Sequence, residues 1–419
     1  MFMLNLETCK LEQLASPEKA AMATGPFGSA VSSKHFVQDG VPMLRGSNLS
    51  DDVGTRLIET DLVFLEPELA DTFARSTARP GDLVFTCWGS VGQIGYIDEH
   101  SGHDGFIVSN KQMKFTPDKA KVDPLFLYYY LSQPAMVDLV KSQAIGSTIP
   151  GFNLGQLRAL PVSIPSFSAQ RAIAEVLGAL DDKIAVNTKL TTLLTLNLEA
   201  SFLSIVGRQS GFIPFTDLAT VTRGVSYRSV DLLESTTALV TLKSFDRNGG
   251  YASRGLKNYT GPYKPAQRIY PGEIVVAQTD LTQAAEVVGR AIRVPASANH
   301  GVLVASLDLA IVRPVPEIPV EFLLGLMLQG RFREHCRSRT SGTTVLHLAS
   351  DAIPTFMAPD VSSKLQQEYA TVARPMLEMR DSLSIESESL AATRDALLPQ
   401  LMSGKLRVRD GEENLEVAR

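Results

Sequence analysis

The chain has 419 residues, 44% of them apolar, three cysteines and a formal net charge of −5. This composition excludes a disordered chain and a disulfide framework, and the length predicts two domains or more. It leaves nucleic-acid binding open, because steering depends on where charges sit rather than on their sum.

No window approaches the ~18 uninterrupted apolar residues of a membrane span. The start, MFMLNLETCKLEQLA, lacks the basic stretch and apolar run of a secretory leader. A cytoplasmic protein without membrane contact is therefore expected.

Residues 1–166 read as a first α+β unit. In RPGDLVFTCWG (79–89) a Pro-Gly turn and an acid precede a short apolar run, which predicts a turn feeding a buried strand. VDPLFLYYYL (122–131) predicts a helix opened by proline in its first turn, and GSTIPGFNLGQLRALPVSIP (146–165) closes the unit. Three features here invite a catalytic reading. GSVGQIG (89–95) has nucleotide-loop spacing, but no Lys follows, so a strand-turn-strand is expected. Cys87, His100 and His103 fall short of the four closely spaced ligands of a structural zinc, and a buried thiol beside two solvent-facing histidines is the simpler account. PDKAK (117–121) lacks the downstream acid-x-Lys of a nuclease motif. No metal site and no catalytic residue are predicted.

Residues 167–208 predict one helix of nearly 40 residues, roughly 55 Å long. Ile173, Leu177, Leu180, Ile184, Asn187, Thr191, Leu194 and Leu198 alternate steps of four and three, a heptad seam. Asn187 either lies in that seam and fixes register at some cost in stability, or faces solvent if the seam is rotated slightly.

Residues 209–360 repeat the landmarks of the first unit at an offset of about 190 to 205. FTDLATVTRG (215–224) answers LEQLASPEKAAMATG (11–25), YPGEIVVAQTD (270–280) answers 79–89, IPVEFLLGLM (318–327) answers 122–131, and GTTVLHLASDAIPTFMAP (342–359) answers 146–165. Side chains differ while the turn punctuation is kept, as expected if one scaffold reads two things. Residues 361–405 predict a second long helix with a seam at Leu365, Tyr369, Val372, Met376, Met379, Leu383, Glu386, Leu390, Thr393 and Leu397. Pro375 is expected to kink it, and Pro399 and Gly404 to end it, before a tail at 406–419.

Two apolar stripes of equal length are expected to pair as an antiparallel coiled coil. The predicted fold is α+β: two tandem α/β recognition domains separated by two long antiparallel coiled-coil helices, with an approximate twofold axis. DNA is a ligand for which a fixed separation matters, since half-sites one turn apart lie ~34–36 Å from each other. Between residues 223 and 268 eight basic residues face three acids, with Tyr227, Phe245, Tyr251, Tyr259 and Tyr263 interleaved. That run suits phosphates and base edges, and equally suits a solvated face. Candidate DNA contacts in the first unit are Lys34, His35, Arg45, Asn48, Trp88, Ser147 and Thr148. In the second they are Arg223, Tyr227, Arg228, Lys243, Arg247, Asn248, Gln278, Thr343 and Thr344. Arg and Lys donate to guanine, and Asn and Gln match the adenine edge.

GPFGSAV (25–31), GDLVFTCWGSVGQIGYI (81–97), GSTIPGFNLGQLRALPVSIPSFSAQRAIAEVLGALDDKI (146–184) and TRDALLPQLMSGKL (393–406) resemble the specificity subunit of type I restriction-modification enzymes. The resemblance spans nearly the whole chain. It departs in the second unit, where SGTTVLHLASDAIP lacks the Pro-Gly-Phe-Asn of the first copy. It implies a non-catalytic subunit whose two target recognition domains read a bipartite site in double-stranded DNA. It also implies helices that set the spacer and dock two methyltransferase subunits, with restriction subunits joining the complex. S-adenosylmethionine, ATP and Mg are then expected on those partners, and no cofactor on this chain. The rival expectations are a structural adaptor that spaces two proteins, and a fused restriction-modification enzyme with degenerate motifs.

Overall fold

The structure, a computed structural model, describes residues 6–27, 30–146, 150–207, 211–245, 250–281, 285–343 and 345–408. The chain divides into two compact units, residues 1–182 with 391–419, and residues 183–390. Each long helix is therefore shared between units rather than standing as a segment of its own.

In the first unit, Glu7–Lys10 pairs antiparallel with Pro161–Ile164 and ties the beginning of the globular part to its end. An antiparallel sheet runs Met22–Thr24, Gln112–Phe115, Leu83–Thr86, Ile94–Tyr96. Its strand Leu83–Thr86 is buried at every position, which is why it reads as a continuous apolar run and not as an alternation. A mixed sheet runs Phe36–Val37, Val63–Leu65, Val41–Leu44, Phe106–Val108, Thr77–Ala78, with Val41–Leu44 parallel to Phe106–Val108. Helix Pro124–Ser132 starts where the Asp123 carboxylate accepts the Phe126 N–H at 2.8 Å and proline occupies the first turn.

The second unit repeats this plan. Phe212–Pro214 pairs with Met357–Pro359, and an antiparallel sheet runs Ala219–Arg223, Leu309–Pro314, Ile274–Ala277, Ala291–Arg293. A mixed sheet runs Lys257–Asn258, Thr237–Val240, Val302–Ala305, Arg268–Ile269, and again holds one parallel pair, Thr237–Val240 with Val302–Ala305. Helices Val320–Leu328 and Gly330–Arg337 correspond to Pro124–Ser132 and Pro134–Gln143. GSVGQIG joins two antiparallel strands, with Gly89 and Gly92 at positive φ.

Both long helices run for 40 residues, Phe167–Val206 and Ser363–Met402, or about 60 Å each. Within the second unit they run antiparallel: Asn187 meets Glu386 and Ser387, while the Tyr369 hydroxyl donates to the Leu198 carbonyl at 3.2 Å. In the first unit Ile173 and Leu177 share a core with Leu398 and Leu401.

The seam of the first helix lies where its apolar spacing puts it, and Asn187 is buried in it. The seam of the second keeps Tyr369, 1% exposed, and Glu386, which meets Asn187, but elsewhere it is rotated by one residue. Val372 and Met379 are 36% and 50% exposed, and the buried line runs through Gln366, Ala370, Ala373, Leu377, Arg380, Arg394 and Leu398. Three of these are polar, so a search for apolar spacing settles on the adjacent stripe. The helix continues through Pro375 and Pro399 and ends at Met402. Gly404, at φ 70°, terminates it and donates its N–H to the Leu401 carbonyl.

The Asn187 amide nitrogen donates to Glu386 at 2.8 Å, but its buried carbonyl oxygen has no partner. Asn187→Leu is therefore expected to stabilise the second unit by about 1 kcal/mol, raising its Tm by about 2–4 °C in calorimetry.

Candidate nucleic-acid interface

In the first unit five chain segments meet at one sheet edge. The turn joining Phe106–Val108 to Gln112–Phe115 is fixed by Ser109 N–H to Leu44 O (3.0 Å), Cys87 N–H to Lys111 O (2.8 Å) and Gly25 N–H to Gln112 O (3.2 Å). Phe152 N–H then reaches Cys87 O at 2.9 Å.

The second unit makes the same four bonds with different residues. Ser306 N–H donates to Val240 O (3.0 Å), Gln278 N–H to Asp308 O (2.7 Å), Gly224 N–H to Leu309 O (3.0 Å) and Leu348 N–H to Gln278 O (2.7 Å). The two glycines are required by space: a Cβ on Gly25 would lie 2.1 Å from the Ser109 carbonyl oxygen, and one on Gly224 2.0 Å from that of Ser306. The skeleton is thus duplicated bond for bond, and the chemistry it presents is not. Lys111 stands where the second unit has Asp308, and Trp88, paired with Gly151, stands where Thr279 pairs with His347.

Trp88 is 48% exposed, and its ring lies so close over Gly151 that a Cβ there would come within 2.5 Å. Phe27 and Ile145 are 69% and 68% exposed nearby in the chain path, while Asn110 and Lys111 face solvent on the turn. Arg45 opens the adjacent turn Gly46–Asn48, with one guanidinium nitrogen on the Asp61 carbonyl at 2.9 Å and a buried Nε that has no partner. Gln112, fully buried and bonded through its Oε1 to the Ser109 hydroxyl, also leaves its Nε2 without a partner.

Asn48 is a correction. It is 1% exposed, its Oδ1 accepts the Arg45 N–H at 3.0 Å, and its Nδ2 donates to the Ile58 and Thr60 carbonyls. With every polar atom spent on backbone it holds the loop and has nothing left for an adenine edge. Lys34 (exposed) and His35 (half-buried) sit on the turn Ser33–His35 leading into the outermost strand of the mixed sheet, away from the four-bond edge. His35 Nδ1 accepts the Ser32 N–H at 3.0 Å.

In the second unit Arg223 is exposed at the end of strand Ala219–Arg223, directly before Gly224, and Lys243 is exposed on the turn equivalent to Gly46–Asn48. Gln278 is half-buried at the edge itself, and its buried Oε1 has no partner. Tyr227 packs on the mixed sheet beside Leu239 and Tyr259, its hydroxyl 3.4 Å from Lys257 Nζ. Arg228, 80% exposed, pairs with Asp231 at 3.6 Å. Thr343 is exposed on the stretch between Thr340–Ser341 and Leu346–Leu348. Ser147, Thr148, Arg247, Asn248 and Thr344 lie outside the described residues.

Sequence reasoning missed Lys111, Asn110 and Asp308. The available signal was the serine that opens both turns, Ser109 in SNKQ and Ser306 in SLDL. Cys87 is buried with its Sγ near the Asn110 carbonyl, and burial pushes its thiol up to about 11. His100 is exposed against Asp98, whereas His103 is half-buried between the rings of Phe64 and Phe106 and so does not face solvent as expected. Among the described residues no three potential ligands cluster as a metal site, and no helix is long and apolar enough to cross a membrane.

The globular part of each unit is clamped to its stretch of helix by ions. In the first unit Arg56 bridges Asp98 (2.6 Å) and Asp182 (2.9 Å) and reaches the Tyr129 hydroxyl and Gly178 carbonyl at 3.4 Å. In the second, Arg293 meets Asp381 at 2.5 Å, Arg374 meets Glu321 at 2.8 Å, and Glu388 accepts from Asn299 at 3.0 Å.

Residues 75–196 match the family model described as type I restriction modification DNA specificity domain. The MjaX specificity subunit of Methanocaldococcus jannaschii is 25% identical over 154 residues, 36% of this chain and 35% of that one. The HindI specificity subunit of Haemophilus influenzae is 26% identical over 133 residues (31% and 29%), and the EcoBI specificity subunit of Escherichia coli 25% over 140 (33% and 28%). The matches span about a third of those relatives' length. A crystal structure of a type I restriction-modification S subunit from M. genitalium superposes with a TM-score of 0.56 at 16% identity, covering 95% of this chain and 96% of that one, and so shares the fold.

Proposed function

We propose that this chain, a relative of the specificity subunits of type I restriction enzymes, is itself the DNA sequence-specificity subunit of such a complex. Each unit reads one half of a bipartite duplex site. The observation that carries this reading is the duplicated four-bond edge with its exchanged side chains, exposed Lys111 against half-buried Asp308, whose Oδ1 also accepts the buried Thr279 hydroxyl at 2.9 Å. Lys donates to the acceptor-rich edge of guanine and Asp accepts from the cytosine amino group, so one scaffold suits two different half-sites.

Catalysis belongs to partners in this reading. Methyltransferase subunits supply S-adenosylmethionine chemistry, and restriction subunits supply ATP- and Mg-dependent steps. The helices are the docking elements: Val186, Leu193, Leu196 and Leu203 are 59, 53, 57 and 61% exposed along one face of the first, opposite its buried seam. A partner helix covering that stripe would remove it from water.

The test is selection from a random-sequence duplex pool by the full chain with its purified methyltransferase partner. A bipartite motif is expected, and an adaptor yields no sequence preference. Trp88→Ala, which removes an exposed ring, is expected to leave Tm nearly unchanged and to weaken binding to the selected duplex by about 1–3 kcal/mol, the range for one base contact.

A further inference from the structure

The second unit has grown in one connection that leads away from the duplicated edge. Between Leu83–Thr86 and Ile94–Tyr96 the first unit uses seven residues (87–93), whereas between Ile274–Ala277 and Ala291–Arg293 the second uses thirteen (278–290). The extension starts at the reading edge, since Gln278 belongs to the four-bond skeleton and Thr279–Asp280 pairs with Leu346–Leu348.

Its return limb is pinned. The Asp280 carboxylate, 1% exposed, accepts the Val287 and Val288 N–H groups at 2.5 and 3.0 Å. Arg333 donates to the Glu286 carbonyl at 2.6 Å, and Arg337, one turn further along helix Gly330–Arg337, donates to the Ala285 carbonyl at 2.9 Å. Gly289 lies so close to that helix that a Cβ would come within 2.5 Å of the Cys336 Cβ. Ala285 is held at φ 50°, a left-handed conformation that crowds the Cβ of an alanine against its own backbone. Strain of this kind persists only where the surroundings over-determine it, and it concentrates at functional sites.

The pinning also gathers charge. Arg333 and Arg337 share one face of the helix, Arg290 ends the extension beside them, and Arg333 Nε is buried without a partner. The guanidinium of Arg333 is held below its ordinary value by burial and by the like charges of Arg290 and Arg337, against the opposing pull of Asp280 and Glu286. The corresponding helix of the first unit, Pro134–Gln143, carries one cation, Lys141.

We propose that Arg290, Arg333 and Arg337 form a phosphate-binding site through which the second unit grips the duplex backbone beside its half-site. Guanidinium forks match phosphate oxygens in pairs, and three guanidinium groups set against Asp280 and Glu286 leave one positive charge in excess for a phosphate. The contact is independent of base sequence and sets the register from which the neighbouring edge reads. This inference rests on the DNA-binding reading and adds to it an anchor found in one unit alone.

The experiment measures duplex affinity of the full chain against salt, on a random-sequence pool and on the duplex selected as above. Arg333→Gln/Arg337→Gln keeps amide donors for the two loop carbonyls and removes two charges. It is expected to lower affinity about tenfold or more on both probes, and to reduce the salt slope by about 1–2 without changing the selected motif. Arg333→Lys/Arg337→Lys keeps the charge, and is expected to retain the slope. Thermal melting checks that each variant is folded. Should the glutamine variant misfold, Glu286→Gln, which removes an exposed acid from the cluster, is expected to tighten binding to both probes. If the wild-type chain binds no duplex, the DNA-binding reading fails first. If it binds and neither the glutamine variant nor Glu286→Gln alters affinity or slope, or if the loss is confined to the selected sequence, the phosphate site is overturned while that reading stands.

Discussion

Arg394→Ala is expected to cost the first unit about 3–5 kcal/mol and to lower its Tm by about 10 °C. Arg394 is 5% exposed at its side chain, and one guanidinium nitrogen meets Asp181, 2% exposed, at 2.8 Å. The other bonds Asp395 at 2.8 Å and Asp52 at 3.3 Å, which fastens the second long helix to the loop that also carries Arg56. On its far side Asp181 accepts the Tyr129 hydroxyl at 2.5 Å. Burial pushes the Asp181 carboxyl up, and the bonds from Tyr129 and Arg394 oppose that push; facing several carboxylates, Arg394 is held more firmly protonated than a free arginine. Truncating the arginine leaves a carboxylate in the interior with one bonded hydroxyl and the more distant Arg56 charge, and the cost is that of a poorly compensated buried charge. The double variant Asp181→Leu/Arg394→Met replaces the pair by apolar groups of similar volume and is expected to recover most of the loss, since a buried pair is worth little against a well-packed apolar substitute. Urea denaturation of the two variants checks both expectations. An Arg394→Ala loss below about 1 kcal/mol would mean that water reaches Asp181 freely.

The same residues explain what could be read in advance. The duplicated plan was legible because Pro-Gly turns and short apolar runs such as LVFT and IVVA carry their own signals, and both became central buried strands. Both long helices were legible from the absence of interior breakers and from the four-three step of apolar residues. The register of the second was not, because Gln366, Arg380 and Arg394 occupy its buried line. The Arg394 guanidinium belongs in the seam because Asp181, remote in sequence, faces it at 2.8 Å, and no local pattern carries that fact. The duplicated edge was legible in outline, since Arg45, Trp88 and Gln278 all lie on or beside it, whereas Asn48 is turned inward and its amide is consumed by loop carbonyls. Lys111 and Asp308 went unnoticed because their equivalence lies in backbone bonds to Cys87 and Gln278 rather than in side-chain similarity.

Gly224→Val is expected to silence the second unit while leaving the first intact. The new side chain has no room: its Cβ alone would lie 2.0 Å from the Ser306 carbonyl oxygen and 2.5 Å from that of Ala305. Those backbone atoms do not yield easily, since Ser306 N–H is tied to Val240 O and Gly224 N–H to Leu309 O, each at 3.0 Å. The edge must open, moving Gln278, Asp308 and the approach to Arg223. A two-headed binder that loses one head also loses the intramolecular second contact, so affinity for the bipartite duplex should fall by about 10²–10⁴. What remains should be a half-site preference, visible in the selected motif as one conserved half and one random half. Gly25→Val, by the same crowding against Ser109, should give the complementary lesion, with the other half retained. A protein that merely spaces two partners cannot produce this reciprocal pattern. Folded variants that still select the full bipartite motif would show that the duplicated edge is scaffold and that reading happens elsewhere on each unit.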